Sequence, residues 1–365
     1  MQLQQHLRCL YIGIRTPGTT SRLRSDALVR ALPGAVFSEV DTDVPFSSAF
    51  RVWRSLAFRF RWGPAVQAIN QYVLDRLPPE PVDLIWVDKG VCLWPSTVLR
   101  LRQLATHLVY YTPDTSFLHN RSRFFKQTLS LYDRVVTTKS LELPEFRRLV
   151  DPGKLVFTTQ SYDQRLHYPR VPFQQKRPEA VLIGLCESAR EDCVGRLLAA
   201  GVPVRIGGRG WEGFLRRHQR DVNLFFEGDA VFGDHYAQVL SRAAIGLGLV
   251  TRRFAELHTT RTFEIPACGT ALATERNSEI DRVFRAGDAI FFKDFADLTA
   301  QCVHLLQHPE QLRQVSEQGH RRVLESGCHN DAMIRQVLES LGYQCQVCEA
   351  WEPGKDGRQP RPLGG

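Results

Sequence analysis

The sequence predicts an α/β protein of two Rossmann-like domains, each a parallel sheet with crossover helices. Three observations carry this reading. The chain has 365 residues, more than one ordinary core organises. Short apolar runs ending in glycine or polar residues alternate with helical periodicity along most of it. That rhythm stops over the polar, proline-containing stretch 160–179 and then restarts.

RCLYIGI (8–14) is a strand ending near Gly13, followed by the turn RTPGTTS. SRLRSDALVRAL puts Leu23, Ala27, Leu28 and Leu32 on one helical face, with Thr20 or Ser21 as N-cap. AVFSEVD is a second strand. VDLIWVDKG (82–90), HLVYYTPD (107–114) and DRVVTTK (133–139) are three more. Such buried-looking runs belong to parallel sheets covered on both faces.

After the break, AVLIGL (180–185) is a strand and SAREDCVGRLLAAG a helix closed by glycine. VPVRIGG, NLFFEG, IGLGLV (245–250), TALATE (270–275) and AIFF continue as strands, with helical stretches between them. NDAMIRQVLESLGY (330–343) is the last helix, and AWEPGKDGRQPRPLGG reads as a disordered tail. Ligand sites in such sheets lie at the carboxyl ends of strands, so the cleft between two such domains is the expected active site.

With 43% hydrophobic and 24% charged residues, the composition is that of a soluble globular protein. No window of about 18 apolar residues could span a membrane, and MQLQQHLRCLYIGI is too short and interrupted for a signal peptide. A cytoplasmic location is expected. Nine scattered cysteines point to reduced thiols, and the lone Cys345-x-x-Cys348 pair predicts no metal site. The net charge of +8 suggests an anionic partner. RVWRSLAFRFRWG (51–63) interleaves arginine with tryptophan and phenylalanine. It is either an interfacial helix making peripheral contact with the inner face of the membrane, or a partly buried helix with solvated arginines. No nucleic-acid-binding signature accompanies it.

HTTRTFEIPACGTALATE (258–275) follows the strand IGLGLV and its end loop TRRFAELH. Thr259, Thr260 or Thr262 can cap the next helix; if the cap is Thr262, Pro266 falls at the fourth helical position, where no N–H is needed, and Cys268 and Gly269 end the helix. A short helix whose free amides face a cleft binds anions, and Arg261 adds a cation suited to phosphate. Glu264 has no capping-box partner, and its carboxylate can accept two vicinal hydroxyls. The competing reading is a surface Arg261–Glu264 ion pair.

RTFEIPACG, with E-x-x-x-x-F-R-A-G-D downstream from Glu279, resembles the donor-binding segment of GT-B glycosyltransferases, nearest the branch with the spore-maturation CgeB-like proteins. The resemblance covers most of 180–335 and includes Arg190 after the glycine-ended strand and G-x-G-W at Gly208, Gly210 and Trp211. In the N-terminal half only YYTPD (110–114) and SYDQRLHYP (161–169) look familiar. It implies a GT-B architecture: an acceptor-side domain (1–165), a linker (166–179), a nucleotide-sugar-binding domain (180–343) and the tail (344–365). The implied activity is transfer of a sugar from a nucleoside-diphosphate sugar to an unidentified glycan, protein or lipid-linked acceptor, with neither metal nor cofactor. A sugar-nucleotide epimerase or hydrolase and a non-catalytic nucleotide-sugar-binding protein are the alternatives.

By the same resemblance, Glu264 binds the ribose hydroxyls. His258, Thr259, Thr260 and Arg261 form the donor-contacting run, with Arg261 stabilising the leaving diphosphate. Arg190, after Gly184, is a second phosphate cation. Arg209, Gly210 and Trp211 border the base or ribose, or Trp211 is core. Glu256 and Glu264 reproduce the Glu-x7-Glu spacing of related retaining enzymes, without the glycine-rich sequence around the first. An inverting reaction needs a base. Asp114 at a strand end is the candidate, or else a helix cap, with His258 and His119 as lesser ones. Gly13, Thr19 and Thr20 line the acceptor side. The only D-x-D, Asp41 and Asp43, falls in the N-terminal half.

Overall fold

The computed structural model describes residues 7–118, 122–251 and 256–346, which divide into two units. The first unit runs through β1 (Arg8–Gly13), α1 (Thr20–Ala31), β2 (Val36–Asp41), α2 (Asp43–Ser47), α3 (Arg51–Phe60), α4 (Pro64–Leu74) and β3 (Val82–Asp88). It continues through α5 (Pro95–Leu104), β4 (Ala105–Thr112), α6 (Arg123–Thr128), β5 (Arg134–Thr137), α7 (Leu143–Leu149) and β6 (Leu155–Phe157). All strand pairs are parallel, in the order β2-β1-β3-β4-β5-β6. The strand order reverses between β1 and β3, so this sheet's ligand-binding switch point lies at their carboxyl ends.

The second unit contains β7 (Arg177–Ile183), α8 (Ser188–Ala199), β8 (Val204–Gly207), α9 (Glu212–Arg217), β9 (Leu224–Phe226), α10 (Gly233–Arg242) and β10 (Ala243–Leu247). After them come α11 (Arg261–Ala267), β11 (Ala271–Glu275), β12 (Ile290–Phe292), α12 (Phe295–Gln307) and α13 (Pro309–Glu325). Its parallel sheet has the order β12-β11-β10-β7-β8-β9, the dinucleotide-fold order, with the switch between β7 and β10. The alternation in the sequence thus becomes two six-stranded parallel sheets.

The domain boundaries differ from the expected ones in two places. The last helix, α14 (Asn330–Glu339), belongs to the first unit, not to a domain 180–343. Met333, Ile334, Val337 and Leu338 pack with Ala27 and Leu28 of α1 over Leu84, Trp86, Val109 and Tyr111. Arg30 clamps Asp331 with bonds of 2.6 and 3.0 Å. An apolar sheet face needs cover, and α1 shares that task with a helix 300 residues downstream.

The expected linker 166–179 is fixed to the second unit. The Arg170 amide donates to Ser241 Oγ (2.6 Å), its guanidinium pairs with Asp234 (2.8 Å), and Lys176 donates to Thr270 Oγ1 (3.0 Å). Of the expected disordered tail, 347–365 lies outside the described residues, including Cys348; Gln346 donates to the Ala31 carbonyl (3.2 Å). Among the described residues no helix is long and apolar enough to cross a membrane.

Candidate functional site

In the second unit the switch point is built around Gly184. The Gly184 amide donates to Gly207 (2.8 Å), and its carbonyl accepts from Trp211 Nε1 (3.0 Å). Gly208 has φ 116°, and a Cβ there would stand 2.3 Å from the Gly184 oxygen, so glycine is required for the two loops to touch. On the other side two guanidinium groups converge. Arg190 donates to the Leu185 carbonyl (2.7 Å), and Arg261 to the Ile183 carbonyl (3.3 Å). A Cβ on Gly184 would lie 3.0 Å from Arg190 Nη1 and 3.5 Å from Arg261 Nη1. Arg261 has no carboxylate partner among the described residues. Thr259, just before α11, is buried, and its hydroxyl has no hydrogen-bond partner among them. Two cations and an unsatisfied hydroxyl at a switch point are what an anionic ligand would complete.

α11 begins two residues earlier than a Thr262 cap implies. Thr260 is its N-cap and Pro266 its sixth residue, where proline cannot donate to the Thr262 carbonyl, and the helix ends one residue later at Ala267. The amides of Thr262, Phe263 and Glu264 already donate to the Thr259 and Thr260 carbonyls, so the expected row of free amides is shorter. Thr262 Oγ1 accepts from the Thr259 amide (3.2 Å).

Glu264 does not form the surface pair with Arg261. It is buried, accepting from Tyr236 Oη at 2.7 Å, with His167 Nε2 at 3.8 Å. Burial, and then the Glu264 charge, push the Tyr236 hydroxyl well above its ordinary pKa, so it remains the donor. His258 is also buried, its Nδ1 bonded to Glu279 Oε2 (2.5 Å). Asn277 joins the same support by donating to the Leu257 carbonyl (2.7 Å). The E-x-x-x-x-F-R-A-G-D run thus props the chain just before α11. Trp211 is a correction: it is fully buried against Phe214 and holds the Gly184 carbonyl, with no surface left for a base. Gly210 backs onto Cys186. Tyr236 escaped the sequence reading; His167 and Glu279 entered it only inside the SYDQRLHYP and E-x-x-x-x-F-R-A-G-D resemblances, without a role.

In the first unit a cavity of about 310 Å³ opens at the β1/β3 switch point. Ile12, Ile14, Phe46, Ile69 and Leu93 form its apolar wall, and Asp88, Lys89, Thr112 and Asp114 its polar end. Asp114 pairs with Lys89 at 2.9 Å and makes no helix cap; Lys89 is left-handed, with φ 56°. Left-handed backbone is costly for a residue with a side chain and concentrates at functional sites. No signal in VDKG other than the following glycine announced it. Burial alone would raise the Asp114 carboxyl, but Lys89, then Lys139 and Arg24, hold it below its ordinary value. That weakens Asp114 as a proton acceptor at neutral pH, where the best bases have pKa values near 7.

A lowered native pKa stabilises the fold above the unfolded value, and that stability is lost as pH falls through the native one. Asp114→Asn is therefore expected to lower the urea midpoint at pH 7. The gap should close as the pH is brought below about 3.9. A gap that stays constant down to pH 3 would show that Lys89 does not hold the carboxylate.

Gly13, Thr19 and Thr20 do not line this cavity. A Cβ on Gly13 would meet Tyr11, Asp88 and Ser21 within 2.9 Å, so the glycine serves packing. Thr19 caps α1, accepting from the Arg22 amide (3.3 Å), and Thr20 begins that helix. Asp41 likewise caps a turn, accepting from the Arg15 and Asp43 amides. Glu256 pairs with Lys139 at 2.7 Å. His119 lies outside the described residues.

Residues 189–339 match a family model described as glycosyl transferase-like. No curated protein matches the chain. Among solved structures it is similar to Anabaena Alr3699/HepE in complex with UDP and glucose, with TM-score 0.62 and 11% identity over 92% of this chain and 100% of that one. Sucrose-phosphate synthase from Thermosynechococcus elongatus gives TM-score 0.60 and 15% identity over 92% and 98%. The α,α-trehalose 6-phosphate synthase from Burkholderia multivorans gives 0.59 and 11% over 93% and 98%. The fold is that of the GT-B glycosyltransferases.

Proposed function

We propose that this chain, a GT-B-fold protein with a glycosyl transferase-like domain over 189–339, transfers a glycosyl group from a nucleoside-diphosphate sugar to an acceptor hydroxyl. The observation that carries the reading is the convergence of Arg190 and Arg261 on Gly184, with the unsatisfied Thr259 hydroxyl near the start of α11. Breaking the sugar C1–O bond leaves charge on the departing diphosphate, and two fixed guanidinium groups stabilise it without needing a metal ion. The acceptor oxygen bonds to C1 as that bond breaks, and its proton passes to the departing diphosphate or to solvent. Asp114 is the carboxylate we assign to that hydroxyl, more as its hydrogen-bond acceptor than as a strong base. Glu264, presented with Tyr236, is assigned to the ribose. Placement beside the CgeB-like proteins belongs to the same proposal and rests on RTFEIPACG and the run from Glu279.

HepE is described with UDP and with UDP-glucose, which makes uridine diphosphate the first ligand to try. Thermal unfolding with UDP, GDP, ADP and dTDP is the test. A diphosphate at about 100 times its Kd should add about 2.7 kcal/mol of stability. If none of the four shifts the transition, the donor site is wrongly assigned.

A further inference from the structure

Outside the two switch points, the most unusual surface is that of α3 and its flanks. Phe50, Val52, Trp53, Phe58, Phe60 and Trp62 are six of the twenty exposed large apolar side chains in the described chain, gathered within thirteen residues. Soluble surfaces seldom gather so much apolar area without a partner. Between Asp43 and Asp75 there is no acidic residue, while Arg51, Arg54, Arg59 and Arg61 all fall there. Arg51, Arg54 and Arg59 have no carboxylate partner among the described residues. Ala57 of the helix is buried and Arg54 and Leu56 are half-buried, so the helix is anchored on one side while its aromatic residues stay exposed.

The helix ends at Arg61, which adopts a left-handed conformation with φ 53°. That turn sends Arg61 inward, where it lines the 310 Å³ cavity, and leaves Trp62 exposed. Phe58, 68% exposed, lines the same cavity, and Arg61 lies 5.3 Å from its ring. The apolar surface and the apolar wall of the cavity are therefore continuous.

We propose that α3 docks on an anionic lipid surface, and that the cavity beside it receives an acceptor carried in that surface. Aromatic rings suit the headgroup–acyl boundary, and unpaired arginines suit lipid phosphates. A protein partner of matching charge would have to bring both an acidic rim and an aromatic-accepting groove, whereas an anionic bilayer supplies both at once. The choice of acceptor rests on the transferase reading; the docking does not.

Flotation of the full chain with vesicles tests it. Three unpaired arginines near the surface should make binding to phosphatidylglycerol–phosphatidylcholine vesicles on the order of a hundredfold tighter than to phosphatidylcholine alone. Phe60→Ser with Trp62→Ser should abolish flotation, and Arg51→Gln with Arg54→Gln and Arg59→Gln should remove the preference for anionic lipid. Both variants should keep the wild-type melting temperature and the nucleoside-diphosphate shift, which reads the transferase assignment separately. Absent flotation, equal binding to both vesicles, or binding that the folded variants retain would overturn the proposal. So would a dimer that the aromatic variant dissolves, since that gives the patch to a second copy.

Discussion

Asp88→Ala should cost about 3–5 kcal/mol in urea unfolding, the effect of leaving a buried charge without its partner. Arg24 and Asp88 are almost fully buried and joined by two hydrogen bonds, 2.6 Å from Nε and 3.0 Å from Nη2. Arg24 cannot escape by losing its proton. Burial pulls its pKa down, and Asp88, Tyr111 and Tyr11 together raise it above the ordinary value; without Asp88 the guanidinium is basic enough to stay charged. Tyr11 is a third member, donating to Asp88 at 2.9 Å, and it keeps contacts with Ser21 when Asp88 is removed. The loss therefore falls mainly on Arg24.

Replacing both partners, Arg24→Met with Asp88→Leu, should recover most of that loss, because apolar replacements of a buried pair are often neutral. A single variant costing under about 1 kcal/mol would mean that water reaches Arg24. The same pair fixes the end of β3, from which Lys89 turns in its left-handed conformation toward Asp114. If the double variant is stable but loses activity, the pair serves the geometry of that corner more than the fold.

The sheets were legible because their strands are buried on both faces. VDLIWVD and ATHLVYYT read as apolar runs, and β3 and β4 occupy the middle of their sheet. Arg261 was read from the loop at a strand's carboxyl end, where such sheets bind ligands, whereas Arg190 entered only through the family resemblance. The destination of α14 was not. Its periodicity announces an apolar face but not which core receives it, and the Arg30–Asp331 pair spans 301 positions. The stretch 160–179 misled for a related reason. Its polarity suggests a solvated linker, yet its partners Ser241 and Thr270 lie 71 and 94 residues away from Arg170 and Lys176. Trp211 exposes the limit of motif reading: G-x-G-W marks the loop correctly, but the indole supports it from behind.

Arg261→Ala should lower kcat by about a hundred- to a thousandfold, the size seen when one fixed donor to a developing charge is removed. Its affinity for the stabilising diphosphate should fall roughly ten- to a hundredfold, as for a lost charge-assisted hydrogen bond. Arg261→Lys should recover only part of this, since an ammonium cannot engage two oxygens in one plane. The accompanying stability measurement separates function from structure. Arg261 is held by a single long bond to the Ile183 carbonyl, and it shares the space around Gly184 with the like-charged Arg190. Removing one of two neighbouring cations relieves repulsion in the unliganded protein, so the alanine variant should be as stable as wild type or slightly more so. That combination, retained stability with lost turnover, is the mark of charge concentrated for a ligand. The opposite combination, lost stability with unchanged diphosphate affinity, would make Arg261 a strut for the β7 loop and leave the donor phosphates to be found elsewhere.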